Sequence, residues 1–382
     1  MKLRLAIVTE IIAPYRIPVF NALTRRDDID LHVIFLAETD QTQRQWRVYK
    51  EEIRFSYQVL PSWRRRWGKY HCLLNWGMGA ALTRFSPDAI LCGGYNYIAS
   101  WAALRWARQQ RVPLLLWVES TAKDQRGGHR FVESLKTWFI NRCKGFVVPG
   151  KSSFQYLRDC GVQGETIFIA PNAVDVELFA RSAEDARSHA PMHRQNLNLP
   201  RHFFLFAGRL VPEKGVFDLF QAYMSQAEEV RSEWGLVYLG SGAASAELKT
   251  RAAGLKTGSI RFPGFAQREQ LAIYYGLADI FVFPTRSDPW GLVVNEAMAC
   301  KLPVIASNAA GCTEDLVQDG WNGHTFAACD VEQLAMLMEK LASNEKQRRE
   351  MATRSYERIQ QYSPEFCADG IALAAFALRN PR

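Results

Sequence analysis

Ala278-Asp-Ile-Phe-Val-Phe-Pro-Thr-Arg-Ser-Asp-Pro-Trp-Gly-Leu-Val-Val-Asn-Glu-Ala-Met-Ala299 is the stretch whose reading decides the fold. Ile280 to Phe283 is a short apolar run of the kind that makes a buried parallel strand, and Arg286 to Trp290 reads as a loop because a proline sits among polar residues. From Gly291 the pattern turns helical. A loop that leaves the carboxyl end of a parallel strand and feeds a helix N-terminus is where open α/β sheets bind ligands, and the free N–H groups of the first turn attract phosphate. The amides of Leu292 and Val293 are therefore candidates to hold a diphosphate, with Asp288 before the turn and Glu296 about one turn inside it. Two such carboxylates can grip polyols, a sugar at one end and a ribose at the other. Each also has an ordinary explanation, since Asp before a helix is a common N-cap and an early Glu suits the helix dipole.

Working outward, Phe203 to Phe206 reads as another buried strand, followed by Gly208-Arg209-Leu-Val-Pro-Glu-Lys214-Gly215. Two cations five residues apart on a short loop before a helix make an anion clamp, in which Arg209 forks two oxygens and Lys214 supplies a compact charge. Leu236 to Leu239 ends in Gly240-Ser241-Gly242, and Ile260 to Phe265 is a further strand and loop. Upstream lies Pro171-Asn-Ala-Val-Asp-Val-Glu-Leu-Phe179. Together these stretches resemble the retaining glycosyltransferases of the GT-B fold, of the family-four, group 1 type: the P-N-x-V-D-x-x-x-F linker, the G-R-x-x-x-x-K-G donor-phosphate loop and the acidic-x7-glutamate signature. The chain departs from the commonest form by carrying Asp288 where Glu is usual.

The resemblance implies two Rossmann-like domains facing across a cleft, residues 1–172 on the acceptor side and 173–363 on the donor side, with a terminal helix from about Pro364 crossing back to the first. It implies a nucleoside diphosphate sugar as donor and a lipid-linked or saccharide acceptor. In those terms Arg209 and Lys214 neutralise the leaving diphosphate, Glu296 holds the ribose, Asp288 with the Trp290-Gly291 backbone holds the sugar, and the backbone of Phe265 and Ala266 reads the base. No metal or other cofactor is expected, because the cations do that work. The first domain shows Glu119 where the family usually has a histidine after a strand, and this carboxylate either polarises the acceptor or, with Ser120, caps a helix.

The rest of the chain narrows the alternatives. Alternating strands (Leu3–Val8, 31–36, 89–92, 114–118, 146–148) and helical stretches (from Pro18, 99–109, 132–143) argue a parallel sheet covered on both faces. The turn after the first strand has no glycine-rich fingerprint, which disfavours a dinucleotide enzyme. Gly145-Phe-Val-Val-Pro-Gly-Lys151-Ser152 matches a P-loop in spelling, but its middle residues are the strand itself and Pro149 lacks an N–H, so a phosphate cradle cannot form. A P-loop ATPase depending on Lys151, an epimerase or phosphorylase of the same fold, and a silent sugar-nucleotide binding module are the competing functions. Residues 180–199, polar and holding His189 and His193, read as a surface excursion without a third metal ligand.

Over 382 residues, 48% hydrophobic and 23% charged, there is room for two ordinary domains. The net charge of +8 fits an anionic partner, and no nucleic-acid-binding motif accompanies it. Eight cysteines without C-x-x-C spacing suggest a reducing compartment, and no run reaches transmembrane length, so a cytoplasmic protein is expected. Pro61-Ser-Trp-Arg-Arg-Arg-Trp-Gly-Lys-Tyr-His71 interleaves four cations with aromatic residues, which suits peripheral binding to an anionic membrane on the inner face of the plasma membrane; the competing reading is an exposed loop with its tryptophans turned inward.

Overall fold

Apolar runs too short for helices and buried on both sides become the strands of two parallel sheets. The computed structural model describes residues 2–40, 45–67, 70–122, 130–255 and 258–379, with the backbone alone at 66, 67, 70, 71 and 130–132. In the first half lie β1 (Leu3–Thr9), β2 (Ile29–Phe35), β3 (Ser56–Val59), β4 (Ser62–Trp67), β5 (Tyr70–Asn75), β6 (Ala89–Cys92), β7 (Leu114–Trp117), β8 (Gly145–Val148) and β9 (Ile167–Ile169). The second half holds β10 (His202–Ala207), β11 (Trp234–Leu239), β12 (Ser259–Gly264), β13 (Ile280–Phe283), β14 (Val304–Ser307) and β15 (Gly323–Phe326).

The first sheet has the order β3-β2-β1-β6-β7-β8-β9 and the second β12-β11-β10-β13-β14-β15, with every pairing parallel. Each sheet is covered on both faces, as its alternation shows. Along β10, Phe203, Leu205 and Ala207 enter one apolar cluster and Phe204 and Phe206 the other. Along β1, Leu3, Leu5 and Ile7 face one side while Ala6 and Val8 face the opposite one. These are two Rossmann-like domains.

Among the described residues, 2–120, 130–173 and 364–379 form one compact unit, and 121–122 with 174–363 form the other. The terminal helix Pro364–Leu378 returns to the first unit, burying Cys367, Ile371 and Ala375 among residues from β1, β6 and β7. Its Gly370 lies so close to β9 that an added Cβ would sit 2.3 Å from the Ile169 carbonyl oxygen.

Two readings need correction. Residues 180–199 are no loose excursion: Val176–Ser188 and Ala190–Asn196 are helices, and Val176, Phe179, Ala183 and Ala186 are buried at helical spacing. Asp175 caps the first of them by accepting from the Leu178 amide at 2.9 Å. The 61–71 segment is also more ordered than a loop, since β4 and β5 pair as an antiparallel hairpin from Ser62↔Asn75 to Trp67↔Tyr70. Elsewhere the P-loop spelling folds as β8 followed by a helix starting at Lys151.

Candidate functional site

The strand order of the second sheet changes direction between β10 and β13, which pair through Phe204↔Ile280 and Leu205↔Phe281. At such a switch point the loops from the carboxyl ends of the two strands part and leave a crevice. The loop after β10 carries Arg209 and Lys214, and the loop after β13 carries Asp288 and leads into the helix Leu292–Ala299. The two cations and Asp288 thus belong to one pair of neighbouring loops, and Glu296 to the helix that the second loop enters.

The loops are fastened to each other. The Arg286 amide donates to the Glu213 carbonyl at 2.9 Å, and the buried Thr285 hydroxyl donates to the same oxygen at 3.1 Å. Arg286 grips the buried Asp218 carboxylate with two N–H groups, at 2.9 and 2.6 Å, tying the β13 loop to the helix Val216–Met224. Gly215 adopts φ +66, and a Cβ there would lie 1.9 Å from the Pro284 carbonyl oxygen, so only glycine permits this approach. Asp218, Arg286 and Tyr275 went unassigned in the sequence because nothing in their local spacing distinguishes a fastening from a surface charge or a core aromatic.

Lys214 Nζ donates to Asp288 Oδ2 at 2.5 Å and to the Ser287 carbonyl at 3.1 Å. The other Asp288 oxygen accepts the Trp290 amide at 3.0 Å. Trp290 therefore differs from expectation: its backbone N–H is already taken, its indole donates to buried Asn295 at 2.9 Å, and its ring is core beside Tyr362. Arg209 is exposed and forms no ion pair among the described residues.

The helix Leu292–Ala299 starts from Gly291 at φ +97 with no side chain capping it. Among the described residues, nothing accepts from the amides of Leu292 or Val293, so the first turn keeps open donors. All of the helix is buried except a stripe formed by Leu292, Val293 and Glu296. Glu296 thus faces the same side as the open turn. The Tyr275 hydroxyl donates to Glu296 Oε2 at 2.9 Å, and burial pushes this carboxyl up to about 7. Phe265 is exposed and Ala266 half-buried just beyond β12.

In the first unit Glu119 follows β7, and residues 120–122 after it are not helical, so neither Glu119 nor Ser120 caps a helix there. Its Oε1 accepts from Arg16 at 2.8 Å, and the Arg16 guanidinium lies 3.9 Å over the Trp117 ring. The carboxylate comes with its own cation, a partner 103 positions away in the chain. In the hairpin, Arg64 is bound to the buried Asp40 at 2.7 Å and turns inward, while Trp63, Arg65 and Trp76 are exposed; Lys69 lies outside the described residues. Among the described residues no helix is long and apolar enough to cross a membrane, and no group of three or more His, Cys, Asp or Glu stands together as for a metal.

Two family models match the chain: glycosyl transferases group 1 over residues 191–358 and Glycosyltransferase Family 4 over residues 20–178. The chain belongs to the group 1 glycosyltransferases. A D-inositol 3-phosphate glycosyltransferase of Xylanimonas cellulosilytica is 34% identical over 171 residues, 43% of this chain and 40% of the relative. Another, of Thermomonospora curvata, is 29% identical over 204 residues, 50% of this chain and 47% of the relative. The chain thus spans less than half the length of these relatives. In fold it is similar over 98% of its length to all of Anabaena Alr3699/HepE solved with UDP and glucose, at TM-score 0.75 and 17% identity. A sucrose-phosphate synthase of Thermosynechococcus elongatus gives 0.73 at 18% identity, covering 99% of both chains. This group 1 chain therefore has the GT-B type of fold.

Proposed function

We propose that this protein transfers a hexose-type sugar from a nucleoside diphosphate sugar to a lipid-linked or saccharide acceptor, with retention of anomeric configuration, in the assembly of a bacterial surface polysaccharide or glycolipid. The observation that carries the reading is the convergence, at one switch point, of the Arg209–Lys214 loop, an uncapped helix N-terminus and the half-buried Glu296. The open amides of Leu292 and Val293 receive the diphosphate, and Arg209 and Lys214 neutralise charge as it leaves, which is stabilisation aimed at the transition state. Those cations supply what a divalent metal would otherwise bring.

Glu296 accepts hydrogen bonds from the ribose hydroxyls, and the Phe265-Ala266 backbone lies against the base. With no base near the reacting carbon needed, the departing diphosphate takes the acceptor proton and the protein positions the partners. The Arg16–Glu119 pair orients the acceptor in the first unit. Membrane contact, if the acceptor is a lipid, falls to the exposed Trp63, Arg65 and Trp76 of the hairpin.

The test begins with UDP, GDP, ADP and dTDP and their sugar conjugates in a thermal-shift panel. A ligand at one hundred times its dissociation constant adds about 2.7 kcal/mol of stability. Failure of every nucleotide to raise the melting temperature overturns the donor assignment, and binding without turnover marks a silent binding module. Proton NMR of the sugar first released from an α-linked donor should show the α anomer; a β product refutes retention.

A further inference from the structure

Lys214 already has an anion, and that anion is built into the site. Its ammonium reaches Asp288 Oδ2 at 2.5 Å, with the two side chains only 13% and 19% exposed. The partners are unequally held. Asp288 is pinned by the backbone: its Oδ1 accepts the Trp290 amide at 3.0 Å, and its own carbonyl accepts the Gly311 amide at 3.0 Å. Lys214 ends a single turn, Pro212–Lys214, and its charge rides on a flexible four-carbon stem. When a partner is exchanged, the ammonium swings and the carboxylate stays.

We infer that Asp288 is a positioning residue that acts through Lys214, holding the ammonium at the switch point before the donor arrives, competing with the diphosphate for it, and taking it back as the nucleoside diphosphate leaves. This rests on the donor reading above and adds a role to it. A half-buried ion pair must be exchanged for another, so binding is weakened by whatever the Lys214–Asp288 contact is worth. Arg209, exposed and outside the pair, makes the first contact with the incoming anion. The competition lowers product affinity, and the same cation still meets the negative charge that develops on the diphosphate as it departs. The shorter Asp serves this better than Glu would, because a carboxylate one methylene nearer its own backbone is less able to follow the lysine.

The role predicts a gain that damage to the fold would not produce. Asp288→Asn is isosteric and keeps an oxygen for the Trp290 amide, but it removes the charge that holds Lys214 and leaves the ammonium only the neutral Ser287 carbonyl. By titration calorimetry, the nucleoside diphosphate that binds the wild type best should bind this variant roughly tenfold more tightly. Transfer should become more sensitive to inhibition by that product. Placed on Lys214→Ala, the same change should do nothing, since the competition has lost its object. Asp288→Ser, which also keeps an oxygen, serves if the asparagine variant misfolds.

Unchanged or weaker affinity in the folded variant overturns the inference, as does a tightening that persists without Lys214 and so reflects only the loss of negative charge. If no nucleoside diphosphate binds the wild type, the donor reading fails and this inference fails with it. Wild-type binding with no gain in Asp288→Asn leaves the donor reading standing and removes this one alone.

Discussion

Replacing Glu296 by Gln should make the protein more stable and worse at binding its nucleotide, and the two effects have one origin. Burial lifts the Glu296 carboxyl from 4.5 to about 7, against the pull of the Tyr275 hydrogen bond. An acid whose pKa is raised on folding loses its proton first in the unfolded chain, so stability is complete below about 4.5, falls as pH rises toward 7, and is level above that. The gap is worth about 3 kcal/mol in the ionised state. Gln has the same shape, keeps an oxygen for Tyr275, and does not titrate. Denaturant melts of ligand-free wild type and variant should therefore agree near pH 4.5 and separate by about 2 to 3 kcal/mol at pH 8, with the variant the more stable. Nucleotide affinity should move the other way, falling about tenfold or more, because hydrogen bonds from ribose to a carboxylate are the stronger kind. Wild-type affinity should also rise with pH up to about 7 more steeply than in the variant, whose remaining slope reports the phosphate alone. Parallel stability profiles for the two proteins refute the buried-acid reasoning, and undiminished nucleotide affinity in the variant refutes the ribose assignment.

Lys214→Ala and Arg209→Ala should each weaken nucleoside diphosphate binding in calorimetry and slow transfer, while Lys151→Ala does neither; full affinity in both of the first two displaces the clamp from this loop. In the hairpin, Arg64→Ser should destabilise the protein by about 1 to 3 kcal/mol by removing a charge-assisted contact to the buried Asp40, whereas Arg65→Ser should spare stability and reduce sedimentation with anionic vesicles at low salt. Equal melting curves for the two serine variants contradict the inward position of Arg64.

The second half was legible in the sequence because its candidate site is built from local stretches. Strand, loop and helix follow each other within Ala278–Ala299, and the loop 208–215 follows β10, so residue order alone carries Arg209, Lys214 and Asp288 to the loops after their strands and Glu296 into the helix beyond. What spacing could not carry was which way each group turns. That Trp290 faces the core follows from Asn295 and Tyr362, and that Glu296 is a weakly acidic carboxyl follows from its burial, neither of which is announced by a motif. Likewise the polar composition of 180–199 hid the continuation of a buried stripe, since Ala183 and Ala186 extend the one that Val176 and Phe179 begin, and four apolar positions at helical spacing suffice to anchor a helix whose other faces are charged.

In the first unit the decisive contacts join residues far apart in the chain, and there the sequence reading gave way. Arg16 closes a single turn, Pro14–Arg16, that follows β1, and Glu119 lies just after β7, with β6 between those strands, so only the fold makes them neighbours. The consequence is electrostatic. An isolated Glu119 would repel an anionic acceptor and an isolated Arg16 would attract one, but the pair presents close to no net charge, with the guanidinium held over Trp117 as well. Such a pair offers fixed donors and acceptors to hydroxyl groups more readily than a counter-charge to a phosphate. The two sheets thus differ in the cations they leave open: beyond the second, Arg209 stays exposed and outside the Lys214–Asp288 pair, whereas Arg16 after β1 is taken by Glu119.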